Sequence, residues 1–353
     1  MTTQPRHASG TGPQRPEARH TSLKDVALAA GVSIATASRA MSQPARVNKD
    51  TLKRIHLAAD QLGYMPDGAA RALRSRRSHL IGSVLPTLDY AIYNNQIAAL
   101  QQILSEQGYF LLVTSCGYDQ VKELRQARTL IERGVEGLVL IGGNHHPELS
   151  TMLQARKIPV IDTYVYHPFS ERSCVGFNNE TVVAKVIHHL VDIGHKRIAM
   201  IAGITQGNDR ANDRVVGVRK ALAAHGLTLP DAYLIEKPYK IAAGRQALRS
   251  LLMAQPAPTA VFCGSDVLAF GVLAECAEQN IAVPEQLSVV GFDNLEFCAH
   301  FHPGLTTIEV PAAAMGQEAG RHIIASLSGN VGIERQELEA NLILRGTTGP
   351  PPG

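Results

Sequence analysis

The sequence has 353 residues with 45% hydrophobic content, enough for a sizeable core, and this length predicts two or three domains. Its five cysteines include no Cys-x-x-Cys pair, which argues against a disulfide framework or a thiolate zinc site and favours a reducing compartment. No apolar run is long enough for a signal peptide or a membrane span, so we expect a cytoplasmic protein with no membrane partner.

The net charge of +3 hides an uneven distribution of charge along the chain. Residues 1 to 80 contain 13 Lys/Arg and 5 Asp/Glu, whereas the remainder contains 21 and 26. A basic block on a slightly acidic body indicates that one module binds a polyanion, although a solvated charge run gives a milder form of the same asymmetry. Residues 1–20 are polar and rich in Pro and Gly, and we expect a disordered basic tail there.

The apolar residues repeat with a helical period up to about residue 75. Ser22 and Asp25 form a capping-box pattern at the start of a first helix, which Gly31 ends. Ser33 and Asn48 are expected to cap a second and a third helix. The predicted helices are residues 23–30, 34–41 and 49–62, and they form an all-α helix-turn-helix head over residues 21–66.

The second predicted helix, IATASRAM, has very little side-chain bulk. Ala37 and Ala40 are small enough to let the first two helices cross closely, as a helix-turn-helix requires. On the other face Arg39 is placed to read guanine in a major groove, with Ile34 or Ala35 against a thymine methyl. The hydroxyls expected to meet phosphate oxygens are those of Ser33, Thr36 and Ser38. The alternative is a small packing helix.

Residues 67–78 form a basic segment in which arginines surround one bulky apolar side chain, Leu73. A helix this short is marginal in water, so we expect it to become ordered only on a partner. With DNA as the partner, Leu73 is suited to wedge into a minor-groove base step. Considered alone, the segment is more typical of a charged linker.

From residue 79 onward, short apolar runs alternate with helical stretches such as residues 213–225 and 266–279, a pattern typical of buried parallel strands. HLIGSVLP, YFLLVTS, GLVLIG and IPVIDTY form one series, and RIAMIAG, TAVFCGS and LSVVGFDN form another. The series predict a two-lobed α/β domain over residues 79–346. Lobe 1 is expected at about 79–178 and 312–338, lobe 2 at about 179–308 and 341–346, and a flexible tail at 347–353.

Two α/β lobes imply a cleft, and ligands of parallel sheets bind beyond the carboxyl ends of the strands. The polar residues that follow the predicted strands are therefore candidate ligand contacts, although a helix cap explains each one taken alone. They are Asp89, Tyr90, Thr163, Ser265, Asp266, Asp293 and Asn294.

Catalytic signatures are missing from the sequence. It contains no Gly-x-Ser-x-Gly elbow, no P-loop and no Gly-x-Gly-x-x-Gly fingerprint, so we expect no enzyme activity and no cofactor. The doublets His145-His146 and His188-His189 lack the i, i+4 spacing of metal ligands on a helix, which predicts surface or partly buried histidines and no metal site. His195 is expected to be structural.

The motifs DVA..AGVS.AT.SR, LGY.P, GHKRIAMIAG, DRVVGVRKAL, FCGSDVLAFG and VPEQLSVVGFDN lie between residues 21 and 346. In combination they resemble the LacI/GalR family of transcription factors, and VGFNNE with FCGSDVLAFGVLAEC is most similar to its gluconate-utilisation repressor branch. The resemblance implies a ligand-responsive transcriptional regulator with a periplasmic-binding-protein-like effector domain. It further implies repression at a near-palindromic operator by a homodimer or higher oligomer, and a sugar or sugar acid as effector.

The resemblance also assigns residues by position. Arg214 in DRVVG matches the arginine that grips the effector, and Asp293 in GFDN matches a carboxylate that accepts hydrogen bonds from ligand hydroxyls. Further matches to effector contacts are Tyr90, Tyr93, Tyr239 and Ser265. Where the family often shows Asp-Asn after its central strand, this chain has Asn178-Asn179 and so lacks one acid.

In the head, the matches to phosphate contacts are Ser33, Thr36, Ser38, Asn48 and Thr51, and Leu73 matches the minor-groove wedge. The family often has hydrogen-bonding side chains at the positions of Ile34 and Ala35. Base readout is therefore expected to depend on Arg39, methyl contacts and DNA shape.

Two other classes of protein share parts of this pattern. The two lobes alone are equally typical of a transport-type sugar-binding protein, but the basic helical head favours a regulator. A sugar-processing enzyme on the same scaffold needs a convergent acid/base or nucleophile set, which the sequence does not display.

Overall fold

The computed structural model describes residues 21–65, 77–89, 91–329 and 332–353. They fall into two units that divide between Ser78 and His79, and each is described by itself. The predicted fold class is confirmed, because an all-α unit precedes a larger α/β unit with two mostly parallel sheets. The predicted tail over 1–20 and the hinge positions 67–76, with Leu73, lie outside the described residues.

The all-α unit contains α1 (Leu23–Ala29), α2 (Ile34–Ser42) and α3 (Lys49–Gln61), each ending within one residue of its predicted end. The predicted caps are confirmed. The side chain of Ser22 accepts from Asp25 N while the Asp25 carboxylate accepts from Ser22 N, which completes a capping box. Ser33 and Asn48 cap α2 and α3. These caps, rather than long apolar runs, determine where the short helices begin.

Small residues fill the centre of this unit. Val26, Ala40 and Ile55 belong to one buried cluster, and each is at most 1% exposed. Gly31 has φ of +65°, a left-handed conformation that glycine adopts without strain and that turns the chain between α1 and α2. The alanines of α2 thus allow close packing of the three helices.

We predict that Ala40→Leu destabilises this unit by about 1–3 kcal/mol, because the added methyl groups have no room in the buried cluster. The matched variant is Ala35→Leu on the exposed side of α2, which should cost less than about 0.5 kcal/mol. Amide hydrogen exchange of residues 21–65 in the full chain measures the difference. Equal protection in both variants would contradict the close helix packing.

Lobe 1 of the larger unit is built on a six-stranded sheet. Its strands are β1 (Leu80–Leu85), β2 (Phe110–Ser115), β3 (Gly137–Ile141), β4 (Val160–Thr163), β5 (Ser173–Gly176) and β11 (Arg335–Glu337). They lie in the order β11-β5-β4-β3-β1-β2, and all of these pairings are parallel. The helices are α4 (Ala91–Glu106), α5 (Gln120–Glu132), α6 (Pro147–Arg156) and α12 (Ala312–Leu327). Because α12 packs on α4, the C-terminal part of the chain completes this lobe.

Lobe 2 has a second six-stranded sheet. Its strands are β6 (Ile198–Gly203), β7 (Leu234–Lys237), β8 (Ala260–Cys263), β9 (Ser288–Asp293), β10 (Thr306–Glu309) and β12 (Asn341–Ile343). The order is β12-β10-β9-β8-β6-β7, and only the pairing of β12 with β10 is antiparallel. The helices are α7 (Asn179–Asp192), α8 (Asp209–Ala224), α9 (Ile241–Leu252), α10 (Asp266–Gln279) and the short α11 (Phe297–His300). The chain therefore passes between the lobes after β5, after β10 and after β11.

All seven predicted strands are present, but five further strands were not predicted. β7, β11 and β12 are three or four residues long and lie at or near sheet edges, so they show no apolar run. β5 and β10 are buried but contain serine or threonine, whose hydroxyls are satisfied internally. Thr307, for example, donates to the carboxylate of Asp266 at 2.5 Å. Because these buried side chains are polar, β5 and β10 do not appear as apolar runs in the sequence.

The predicted flexible tail at residues 347–353 is wrong. Thr347 is fully buried, and its Oγ1 donates to the carbonyl of Val289 at 2.7 Å. The carbonyl oxygen of Gly349 lies 2.9 Å from Nε2 of His195, which is itself fully buried and structural, as predicted. The segment is therefore fixed along lobe 2 by its polar groups, which a composition rich in Pro and Gly does not reveal. Within the described ranges, no helix is both long and apolar enough to cross a membrane.

Candidate functional site

Helix α2 presents two different faces. Ala37 and Ala40 are buried inside the three-helix unit, whereas Ile34, Ala35 and Arg39 are exposed. Ile34 is 50% exposed. The exposed face is therefore slim, with aliphatic groups at the helix start and a guanidinium about one turn later. This combination suits contact with base edges in a major groove.

The predicted phosphate contacts lie at the starts of α2 and α3. Ser33 Oγ accepts from Thr36 N at 3.1 Å and lies 2.9 Å from Thr36 Oγ1. Asn48 Oδ1 accepts from Asp50 N at 2.9 Å. Ser33 and Asn48 are exposed, whereas Thr36, Ser38 and Thr51 are half-buried. The same side chains that cap the helices thus stand at their positive N-terminal ends, where anions are favoured.

Positive charge dominates the surface of this unit. Between residues 21 and 65 the chain has six Lys/Arg and three Asp/Glu, and all six basic side chains are exposed. They are Lys24, Arg39, Arg46, Lys49, Lys53 and Arg54. Asp25 is engaged in the capping box and Asp50 lies in the first turn of α3, so both acids also stabilise helix starts.

A pocket lies between the two lobes of the larger unit. We call it the inner pocket, and its principal side chains are Tyr93 and Tyr118 of lobe 1 and Arg210, Arg214, Tyr239 and Asp293 of lobe 2. Five of the six residues predicted to contact effector line it, namely Tyr93, Arg214, Tyr239, Ser265 and Asp293. The sixth, Tyr90, lies outside the described residues.

Arg214 is 7% exposed and its guanidinium is held by neutral groups. Nη1 donates to Asn179 Oδ1 at 2.8 Å and Nη2 donates to Tyr239 OH at 3.0 Å. The guanidinium carbon lies 4.6 Å from the centre of the Phe292 ring, within cation–π range. Its Nε is buried with no hydrogen-bond partner. Arg214 is thus oriented rigidly with one donor unused.

Asp293 ends β9 with φ of +126°, a strained conformation for a residue with a side chain. Burial raises the pKa of its carboxyl well above the usual value, and the charge of Asp266 adds to the rise. Arg214 and a hydrogen bond with Ser265 act in the opposite direction but do not cancel it. Asp293 therefore takes up a proton more readily than an exposed aspartate, and a protonated carboxyl is able to donate as well as accept hydrogen bonds.

Tyrosines from both lobes enclose the inner pocket. Tyr93 packs edge-on to Tyr164 with ring centres 5.2 Å apart, and its hydroxyl hydrogen-bonds that of Tyr118. Tyr118 of lobe 1 approaches Tyr239 of lobe 2 with ring centres 6.3 Å apart. Tyr239 fits only because Gly203 has no side chain, since a Cβ there would lie 2.2 Å from its ring and hydroxyl. These rings form the outer wall of the pocket.

Arg210, which was not predicted from the sequence, is 6% exposed and lines the same pocket. The helix was predicted to begin at Asp213, but α8 begins at Asp209 because Asn208 caps it. Arg210 and Arg214 are therefore one helical turn apart on one face. The signal that could have found Arg210 is the Asn-Asp pair before it, which is typical of a helix start.

Asp209 connects the lobes. Its carboxylate accepts from Gly143 N at 2.6 Å and Asn144 N at 3.2 Å, both in lobe 1, and from Nη1 of Arg210 at 2.7 Å. Burial acts to raise the pKa of Asp209, but Arg210 and the Gly143 N–H together hold it below its usual value. An ionised carboxylate therefore bridges the cleft.

The loop that receives Asp209 is itself fixed by buried charges. His145 Nδ1 lies 2.9 Å from Glu123 and Nε2 lies 3.2 Å from Asp162, while Arg172 donates to Asp162 and to the Gly143 carbonyl. Burial alone would lower the pKa of His145, but Asp162 and Glu123 raise it to about 9. The expectation of a surface or partly buried residue is thus wrong for His145, because two carboxylates stabilise its charge inside the lobe.

The inner pocket is closed in this structure. Its volume is about 30 Å³, far below the roughly 300 to 1,000 Å³ of ordinary ligand pockets. A much larger open groove of about 1150 Å³, which we call the mouth groove, is lined by Asp89, Asn144 and Lys240 among others, and borders the inner pocket at Tyr118 and Tyr239. The mouth groove is larger, but Arg210, Arg214 and Asp293 line the inner pocket and not the mouth groove. The inner pocket is therefore the better candidate for specific binding.

Three other predicted ligand contacts have structural partners. Thr163 Oγ1 donates to the Leu140 carbonyl, Asp266 accepts from Leu295 N, and Asn294 accepts from Arg345. These three side chains fasten strand ends and neighbouring loops, and none of the three is a helix cap. Among the described residues, no three His, Cys, Asp or Glu side chains are grouped so as to hold a metal ion.

Comparison with known proteins identifies the family. The sequence profile of "Bacterial regulatory proteins, lacI family" matches residues 22–67, and that of "Periplasmic binding protein-like domain" matches residues 187–348. The HTH-type transcriptional repressor CytR of Escherichia coli strain K12 is 32% identical over 327 residues, which cover 92% of this chain and 96% of CytR. The chain belongs to the LacI/GalR family.

Two further LacI/GalR relatives support the assignment. The ribose operon repressor of Escherichia coli strain K12 is 30% identical over 300 residues, covering 84% of this chain and 90% of the relative. The crystal structure of the lac repressor dimer bound to operator and the anti-inducer ONPF superposes with a TM-score of 0.82 at 25% identity, covering 94% and 100%. The predicted family and the predicted class, a DNA-binding transcriptional regulator, are confirmed.

We predict that the unfolding free energy falls as pH rises from 6.5 to about 9. His145 has a folded-state pKa of about 9 against 6.5 ordinarily, so its contribution is complete below pH 6.5 and lost as pH rises through 9. Linkage gives roughly 3 kcal/mol over this window. Urea unfolding followed by circular dichroism measures it, since the chain has no tryptophan.

His145→Gln should abolish this slope. The matched control is His146→Asn, which keeps a side-chain cap for α6 and should leave the slope intact. An unchanged slope in the His145 variant would show that the ion pairs with Glu123 and Asp162 do not hold its charge.

Proposed function

We propose that this LacI/GalR regulator represses genes of carbohydrate or sugar-acid catabolism by binding a near-palindromic operator as a homodimer, under control of a sugar or sugar acid. One observation carries the proposal: a basic helix-turn-helix surface and a two-lobed pocket with buried polar groups occur in one chain. The first suits DNA and the second suits a small polyhydroxylated ligand. The protein acts in the cytoplasm, where the DNA is.

In the DNA-binding half, α2 enters the major groove. Arg39 donates both arms of its guanidinium to a guanine, and Ile34 or Ala35 packs on a thymine methyl. The caps and hydroxyls at the helix starts hold phosphates and so fix the register rather than the sequence. These are Ser33, Thr36, Ser38, Asn48 and Thr51. Insertion of Leu73 into the minor groove remains a prediction from the sequence.

In the effector-binding half, the ligand occupies the inner pocket. Arg214 supplies donors, Asp293 and Asn179 supply hydrogen bonds to hydroxyls, and Tyr239 and Tyr93 cover the sugar ring. Ser265 positions Asp293. Support comes from the burial and mutual orientation of these groups, and from relatives that include a repressor named for a ribose operon.

Rotation of the lobes links the two halves. The inner pocket is nearly filled in the closed form, so a ligand enters only if the lobes separate and then close around it in a different arrangement. In a homodimer this changes the spacing of the two hinge segments, so the segments and Leu73 reach DNA in one state only. A coupling free energy of about 1 to 3 kcal/mol changes operator affinity roughly five- to 150-fold.

We predict that Arg39→Ala weakens binding to the protein's own upstream promoter DNA at least about 30-fold, because the homodimer loses one base contact worth roughly 1–3 kcal/mol in each of the two half-sites. Affinity for a scrambled duplex should fall much less. Fluorescence anisotropy at several salt concentrations measures both. The control is Arg125→Ala, which removes an equal charge from an exposed position of the larger unit.

Equal affinity of the wild-type chain for upstream and scrambled DNA at every salt concentration would contradict the proposed function. Specific DNA binding that no sugar or sugar acid alters would contradict its effector-controlled part.

A further inference from the structure

A short segment of lobe 2 fits between two loops of lobe 1. The segment, residues 207–210, leads from the loop after β6 into α8, and we call it the bridging segment. The loop after β2, with Tyr118, and the loop after β3, at residues 142–144, surround it, and we call the space between these loops the notch. The cavity left there has a volume of about 20 Å³, room for about one water molecule. The bridging segment therefore fills the notch closely.

The contact of the bridging segment with the loop after β3 is electrostatic. The carboxylate of Asp209 accepts from Gly143 N at 2.6 Å and from Asn144 N at 3.2 Å. Hydrogen bonds to an ionised carboxylate are stronger than those between neutral groups. A Cβ at Gly142 would lie 1.9 Å from Nη1 of Arg210 and 2.7 Å from Oδ1 of Asp209. The loop thus comes this close to the bridging segment because residue 142 is a glycine.

The contact with the loop after β2 is steric. Gly207 has φ of +71°, and a Cβ there would lie 2.4 Å from the carbonyl oxygen of Tyr118. A backbone oxygen cannot rotate away as the end of a flexible side chain can, because the packed chain around it has to move as well. Any residue larger than glycine at position 207 would therefore press the two lobes apart.

The bridging segment also closes the inner pocket. Tyr118 and Arg210 line both the inner pocket and the notch, so the two spaces adjoin. Since lobe 1 contacts the segment near both of its ends, at Gly207 and at Asp209, the lobes separate only when both contacts break. While both contacts hold, the inner pocket stays filled by its own side chains.

We propose that the bridging segment holds the lobes in the closed arrangement, and that its release from lobe 1 is the step through which effector binding changes DNA affinity. The first half depends only on the larger unit, whereas the second half rests on the proposed function. Because a ligand enters the inner pocket only after release, these contacts set the fraction of molecules that can bind effector. Asp209 and Gly207 are therefore positioning residues, which act through lobe 1.

Cys116 reports the release of the bridging segment. It is 7% exposed and lines the notch together with Gly207 and Asp209, so withdrawal of the segment uncovers it. Burial raises the pKa of its thiol, which further slows its reaction in the closed arrangement. Cys263 is fully buried within lobe 2 and stays covered. Alkylation by N-ethylmaleimide, followed by mass spectrometry on the full chain without DNA or added ligand, therefore measures release at Cys116 and general unfolding at Cys263.

Two variants break the two contacts separately. Asp209→Asn removes the charge that accepts the hydrogen bonds from lobe 1, and Gly207→Ala introduces the clash with the Tyr118 carbonyl. We expect each variant to raise the alkylation rate of Cys116 at least about tenfold, because the open arrangement becomes a larger fraction of the population. The rate at Cys263 should not change.

Each variant has a matched control in lobe 2. Gly226 has φ of +70°, and no atom of the described residues lies within 4 Å of a Cβ added there. Gly226→Ala therefore introduces the same backbone strain as Gly207→Ala without a clash between the lobes. Asp231→Asn removes an equal charge from a fully exposed carboxylate that pairs with Arg219. Both controls should react with N-ethylmaleimide as the wild-type chain does.

DNA affinity tests the second half of the proposal. In fluorescence anisotropy with the upstream promoter DNA and no added ligand, Asp209→Asn and Gly207→Ala should change the affinity in the same direction, each at least about fivefold. The common direction is expected because both variants release the same segment. The two control variants should bind this DNA as tightly as the wild-type chain.

An alkylation rate of Cys116 that is unchanged in either variant would overturn the inference, as would an equal rise at Cys116 and Cys263 in both. Faster alkylation of Cys116 with unchanged DNA affinity, or with opposite changes in the two variants, would overturn its second half. Absence of specific DNA binding by the wild-type chain would instead contradict the proposed function. The alkylation rates, measured without DNA, would then still decide the first half.

Discussion

The carboxylate of Asp209 is the interaction on which the arrangement of the two lobes depends. It accepts from two backbone N–H groups of lobe 1 and from one guanidinium of lobe 2, so two of its hydrogen bonds form only while the lobes are closed. The receiving loop is rigid because His145 and Arg172 tie it to buried acids. Separation of the lobes therefore breaks the hydrogen bonds from Gly143 and Asn144 to the Asp209 carboxylate. A ligand that opens the cleft has to compensate for their loss.

Under the proposed function, the cleft needs a second arrangement besides the closed one, with the lobes at a different angle. In the closed form the inner pocket is almost filled by its own tyrosines and arginines. The strained backbone of Asp293 and the unused donor of Arg214 mark groups that are positioned in advance for a ligand. A ligand that satisfies them stabilises a different lobe angle, and DNA affinity responds only to the extent that this angle matters to the head.

Much of the fold was predictable because its signals are local. Buried strands of lobe 1 and lobe 2 appear as apolar runs, and caps such as Ser22, Ser33 and Asn48 define the short helices within one residue. The site was predictable where single positions carry a motif, as at Arg214 and Asp293. The rest depends on contacts distant in sequence: Asp209 meets Gly143 66 residues away, and Thr347 meets Val289 58 residues away. Neither the periodicity nor the composition of the sequence predicts these hydrogen bonds.

Reciprocal linkage between the effector and DNA tests the central claim most directly. The measurement is the Kd of the tightest-binding sugar or sugar acid for the full chain, with and without saturating promoter DNA, alongside the Kd for the DNA with and without that ligand. We predict that both ratios are equal and lie between about five and 150. A ligand Kd that is the same with and without specifically bound DNA would contradict the account, because the arrangement of the lobes would then have no effect on DNA binding by the head.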